Sequence, residues 1–139
     1  MATVIRAIIS ENNKYWIDKH RHYELKHFCL QYPMWKKAYR ECLDRDISLA
    51  MIDGVRTVEG VYDPTATRAV TRAYYGERIK LVERAAKEAD EYLWHYIVKG
   101  VTEGYSYTYL RSKLDIPCGK DTYYKLYRKF FYLLSQYRD

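Results

Sequence analysis

Apolar and aromatic residues recur at three- and four-residue spacing through most of the chain, which predicts helices. From about Tyr15 to Gln31 the apolar positions are Trp16, Ile17, Tyr23, Leu25, Phe28 and Leu30, with Asn13 placed as N-cap. Pro33 stops this helix and suits the first turn of a second, running to about Asp46. There Met34, Trp35, Ala38, Tyr39, Cys42 and Leu43 form the apolar stripe. Two amphipathic helices with so short a joint predict an antiparallel helical hairpin. Residues 48–62 hold no period and carry Gly54 and Gly60, so an irregular loop is expected. Asp63 then caps and Pro64 opens a helix that runs without another proline to about Lys99. Its stripe is Ala66, Val70, Ala73, Leu81, Ala85, Ala89, Tyr92, Leu93, Tyr96 and Ile97. About 36 residues at 1.5 Å each span roughly 54 Å, long for a compact domain. The expectation is a break near Gly76 or packing against a second copy of the chain.

Gly100 and Gly104 are expected to end this long helix. Ser106 caps a short helix to about Leu114, Asp115-Ile116-Pro117 makes a tight joint, and a last helix runs from Cys118 or Gly119 to about Tyr137. Within it Tyr123, Leu126, Tyr127, Phe130, Leu133, Leu134 and Tyr137 keep helical spacing. A short helix, a joint and an amphipathic helix make the pattern of a helix-turn-helix. The predicted class is all-α, divided as an N-terminal hairpin and loop (1–62), a long connecting helix (63–99) and a helix-turn-helix (100–139).

Charge sharpens this picture. The 139 residues carry a formal +6, from 24 basic and 18 acidic side chains. Residues 105–139 hold seven basic and three acidic side chains, a net +4, and the first 104 hold only +2. A basic quarter built on a helix-turn-helix pattern points to duplex DNA, and the expected function is sequence-specific duplex binding that regulates transcription. Lys125 and Arg128 are the expected groove contacts, on one face of the last helix with Asp121 and Tyr132, and with Tyr124 beside them. Lys120 and Thr122, in its first turn, are candidates for phosphate, as are Arg111 and Lys113 on the short helix. Lys129 completes the basic set. Asp121 serves either a cytosine amino group or the helix dipole.

Composition narrows the alternatives. Tyr supplies 17 residues, and Tyr123, Tyr127 and Tyr137 sit at core spacing, which favours packing over base stacking. No apolar run approaches a membrane span. The opening MATVIRAIIS lacks the features of a signal peptide, and a cytoplasmic protein is expected. Cys29, Cys42 and Cys118 make a poor disulfide framework. The histidines and cysteines lack metal-ligand spacing, and the acidic groups Glu41-Asp44-Asp46 and Glu88-Asp90-Glu91 read as solvated faces. Neither enzyme chemistry, cofactor nor metal is expected. Cys118 lies near a helix start, a position that can lower a thiol pKa, but a redox role is not expected of it.

Two segments carry a family resemblance. The ending CGKDTYYKLYRKFFYLL (118–134) resembles that of RinA-type phage transcriptional regulators, which are similar to the C-terminal promoter-reading domain of sigma factors. The stretch DPTATRAV (63–70) is similar to the Asp-Pro-Thr start that the family places before its long helix. The resemblance implies a small activator of late phage genes, those for packaging and structural proteins, with host RNA polymerase as a partner met by the N-terminal hairpin. Tyr105, Tyr107 and Tyr109 depart from the polar or basic residues expected there. A homodimer through the long helix or the hairpin is expected from the extended stripe. The alternative function is a small terminase-like DNA-packaging subunit, which also joins a helix-turn-helix to helical oligomerisation segments.

Overall fold

The computed structural model describes residues 13–51 and 64–138, and for 46–51 and 64–65 the backbone alone. The fold is all-α, with no strand among the described residues. Six helices are described: α1 Lys19–Leu30, α2 Tyr32–Met51, α3 Pro64–Ala89, α4 Trp94–Glu103, α5 Tyr107–Leu114 and α6 Lys120–Tyr137. They fall into two compact units. One comprises Met1–Gln31 with Leu81–Asp139, the other Tyr32–Lys80.

Several boundaries differ from the sequence expectation, each for a local reason. The cap of α1 is Asp18, whose carboxylate accepts from the backbone N–H groups of His20 (2.9 Å) and Arg21 (3.4 Å). Asn13 instead holds a turn ahead of the helix, accepting from Tyr15 N–H at 2.9 Å. The expected long helix over 63–99 is two helices. It stops at Ala89, where the Asp90 carboxylate accepts from both Tyr92 and Leu93 N–H at 2.8 Å. Those bonds hold a turn in place of the helical ladder, and α4 starts afresh. Gly76 is no break; it lies inside α3, where a Cβ would meet the Tyr39 ring at 3.2 Å. Gly100 is likewise interior, to α4, and Gly104 alone closes that helix, with φ 72°. Of the expected loop 48–62, residues 48–51 form the end of α2, and the rest lies outside the described residues, as do the Asp63 cap and the opening MATVIRAIIS.

In the first unit α4 is the hub. It packs against α1, α5 and α6, and α1 packs on α6. Leu25, Phe28 and Cys29 of α1, Val82, Ala85, Ala86 and Ala89 of α3, and Ile97, Val98 and Val101 of α4 are buried. So are Phe130, Phe131 and Leu134 of α6. Each large apolar side chain removed from water contributes about 1.5–3 kcal/mol. α1 thus takes its core from α4 and α6, a placement that the expected hairpin with α2 did not foresee. A polar clamp adds to it. Arg21 donates from Nε to Ser135 Oγ (3.1 Å) and from Nη2 to the Ser135 carbonyl (3.0 Å) and the Arg138 carbonyl. A cation on the last carbonyls of α6 suits the negative end of its dipole. Glu24 pairs with both Arg21 and Arg138.

The second unit buries Tyr32 and Trp35 and leaves Met34, Leu43, Val70 and Tyr74 exposed, Val70 at 69%. Arg78 lies over the Tyr74 ring at 3.4 Å.

Candidate nucleic-acid interface

The segment from Ser106 to Tyr137 is built on tyrosine hydroxyls and backbone caps. Ser106 Oγ accepts from Tyr109 N–H at 3.2 Å, as expected of an N-cap. The Tyr124 hydroxyl accepts from Tyr107 N–H (3.2 Å), and the Tyr107 hydroxyl donates to the Cys118 carbonyl (2.6 Å). Two rings therefore fasten α5 to the joint and to α6. At the joint Asp115 adopts the left-handed conformation, φ 54° and ψ 46°, and its N–H returns to the Leu110 carbonyl. The next N–H, of Ile116, bonds the same carbonyl at 3.2 Å. That reversal drives Ile116 into a cluster with Leu110, Tyr123 and Tyr124. Arg111 Nη1 donates to the Ile116 carbonyl (3.0 Å) and to the Asp115 carboxylate (3.3 Å).

α6 presents two unlike faces. Tyr123, Tyr124, Phe130, Phe131 and Leu134 are buried. On the other side Asp121, Thr122, Lys125 and Gln136 are exposed, and Arg128, Lys129 and Tyr132 are half-buried at its flanks. Gly119 is the N-cap and offers no side chain to the first turn, where Asp121 complements the dipole.

The expected contact residues therefore sort as follows. Lys113 on α5 and Lys120, Asp121, Thr122 and Lys125 on α6 are exposed, and Lys129 flanks them. Arg111 is exposed but holds the joint. Arg128 is half-buried and has an interaction within the fold. Tyr124 is not on this face: it is 7% exposed, with its hydroxyl bonded to Tyr107 N–H. At 100° per residue Tyr124 shares its stripe with Tyr127 and Phe131, which carries it inward. Tyr132 rests against the Tyr15 ring at 5.7 Å.

The Cys118 thiol is shifted away from reactivity. Burial, then the charge of Asp90, raises its thiol pKa, and the opposing charge of Arg111 does not reverse that. Burial raises the Cys29 thiol as well. Tyr105 and Tyr109 stack with ring centroids 4.2 Å apart, and the Tyr105 hydroxyl donates to Glu103 at 2.9 Å, a bond that pushes its pKa up to about 12.

Sequence reasoning missed the α1 contribution. His22 sits edge-on to Phe131 at 4.8 Å, and its Nδ1 has no hydrogen-bond partner among the described residues. No periodicity links α1 to partners 114 residues away. Among the described residues no three His, Cys, Asp or Glu side chains are grouped to hold a metal, and no helix is long and apolar enough to cross a membrane. No family model, curated protein or solved structure matches the chain.

Proposed function

We propose that α5, the joint at Asp115–Gly119 and α6 act as a helix-turn-helix that binds duplex DNA, and that the protein regulates transcription as an activator of late phage genes. One observation carries the DNA half. α6 is packed along one side by its aromatic residues and offers Thr122, Lys125 and Lys129 along the other, with Lys120 at its start and Lys113 on α5. A helix held rigid from behind and positive in front suits the major groove of a polyanion. The net +4 of residues 105–139 supports the same reading. The regulatory half rests on the resemblance of residues 118–134 to RinA-type regulators, which also supplies host RNA polymerase as a partner. A genome-wide footprint of the expressed protein tests it: protection upstream of late genes is expected, and protection confined to packaging-initiation sites overturns it.

The exposed Met34, Leu43, Val70 and Tyr74 of the second unit favour self-association. They also keep open the reading as a small terminase-like packaging subunit. Mass photometry separates the two: a dimer fits the regulator, and a ring fits the packaging subunit.

A further inference from the structure

The cations of the proposed interface are not equivalent. Residues 105–139 contain three arginines and four lysines. Every arginine is engaged within the fold. Arg111 is held on the Ile116 carbonyl beside Asp115. Arg138 pairs with Glu24 and lies over the Phe28 ring at 4.1 Å. Arg128 is half-buried and has its own interaction. The lysines are the reverse. Lys113, Lys120 and Lys125 are exposed and Lys129 is half-exposed, and none of the four is ion-paired within the described residues.

This division matters chemically. Guanine in the major groove is read with the sharpest geometry by the planar, bidentate guanidinium fork. An ammonium is a compact point charge on a flexible stem and serves any phosphate that comes near. The other polar groups on the outward face add little base readout. Gln136, suited to adenine, lies 16 residues beyond Lys120, roughly 24 Å along the axis, away from the N-terminal end that enters a groove. Tyr132 packs on Tyr15. That leaves Asp121 and Thr122.

Resting on the DNA-binding half of the reading above, we infer that this surface itself grips duplex DNA by its phosphates through Lys113, Lys120, Lys125 and Lys129, with little preference for sequence, so that the choice of site upstream of late genes falls to the proposed host RNA polymerase partner. The charge complementarity of an unpaired lysine array carries the inference, and the engagement of Arg111, Arg128 and Arg138 within the fold sets its character.

The test uses the full chain and fluorescence anisotropy. Labelled duplexes of random sequence are compared with duplexes recovered by repeated selection from a random pool, from about 50 to 200 mM salt. Selected duplexes are expected to bind within about tenfold of random ones, against about a thousandfold or more for a base-reading protein. The slope of log affinity against log salt is expected to be about −3 to −4, near 0.9 for each of four lysines. Lys125→Gln and Lys129→Gln are each expected to flatten that slope by about one on every duplex. Both side chains face solvent wholly or in part, so the fold is expected to survive, and circular dichroism checks it. A selected duplex bound about a thousandfold better than random overturns the inference and leaves the regulator reading standing. Tighter binding to single strands than to duplex overturns it in favour of stacking on Tyr105 and Tyr109. Absence of binding to any duplex at low salt removes the DNA reading itself.

Discussion

His22 is 5% exposed, and burial followed by the charge of Lys26 lowers its pKa from 6.5 to about 4. The folded chain therefore refuses a proton that the unfolded chain accepts. Stability is full above about pH 6.5, falls as pH drops towards about 4, and loses up to about 3 kcal/mol over that window. Urea titrations at several pH values are expected to show this slope, and His22→Phe is expected to remove its share of it. A second buried group is out of place in another way. The Tyr123 hydroxyl has no hydrogen-bond partner among the described residues, and a Cβ on Gly100 would lie 2.1 Å from it. Tyr123→Phe is expected to be neutral or to stabilise by up to about 1 kcal/mol, since it deletes an unsatisfied buried group. Gly100→Ala is expected to destabilise by about 1–3 kcal/mol despite its better helix propensity. Combined with Tyr123→Phe it is expected to cost much less, a non-additivity that thermal melts of the four proteins measure.

At the scale of elements, the ends of helices are where the chain was hardest to read. Ser106 was legible because it stands between Gly104 and an amphipathic run, so nothing competed with its role as a cap. Asp90 was not. Apolar spacing continues through Ala89, Leu93, Tyr96 and Ile97 as though one helix ran on, and Asp90 looked like one more solvated carboxylate beside Glu88 and Glu91. The break comes from its two bonds to Tyr92 and Leu93 N–H, a local competition that periodicity does not register. Asp90→Ala is expected to cost about 1 kcal/mol, read by chemical denaturation. Tyr124 shows the same limit on α6. Its place between the two faces was legible, but the bond to Tyr107 N–H that settles it inward depends on where α5 lies.

Across the whole molecule, the all-α class and the outward placement of Lys113, Lys120 and Lys125 followed from spacing and charge alone. The role of α1 did not. Arg21 and Glu24 read as a polar face, and only the folded chain brings them to Ser135 and Arg138. The boundary expected at residue 100 would separate α5 and α6 from both α1 and α4. A fragment of residues 100–139 is therefore expected to lack a stable fold, with weak near-ultraviolet dichroism and a broad melt, whereas the full chain melts cooperatively.

The clamp between Arg21 and the last turn of α6 joins residues separated by 114 positions. During synthesis α1 emerges well before its partner, which follows 114 positions later. At about 5–20 residues per second, Leu25 and Phe28 wait roughly 6–20 s for α6. For that interval the nascent chain carries an apolar helix without its seat, a natural client for a chaperone. A stop ahead of Ser135 or a bulky change at Ser135 acts on the step that ends the wait, so the last turn of α6 is the place where small changes to the gene are expected to lower yield most.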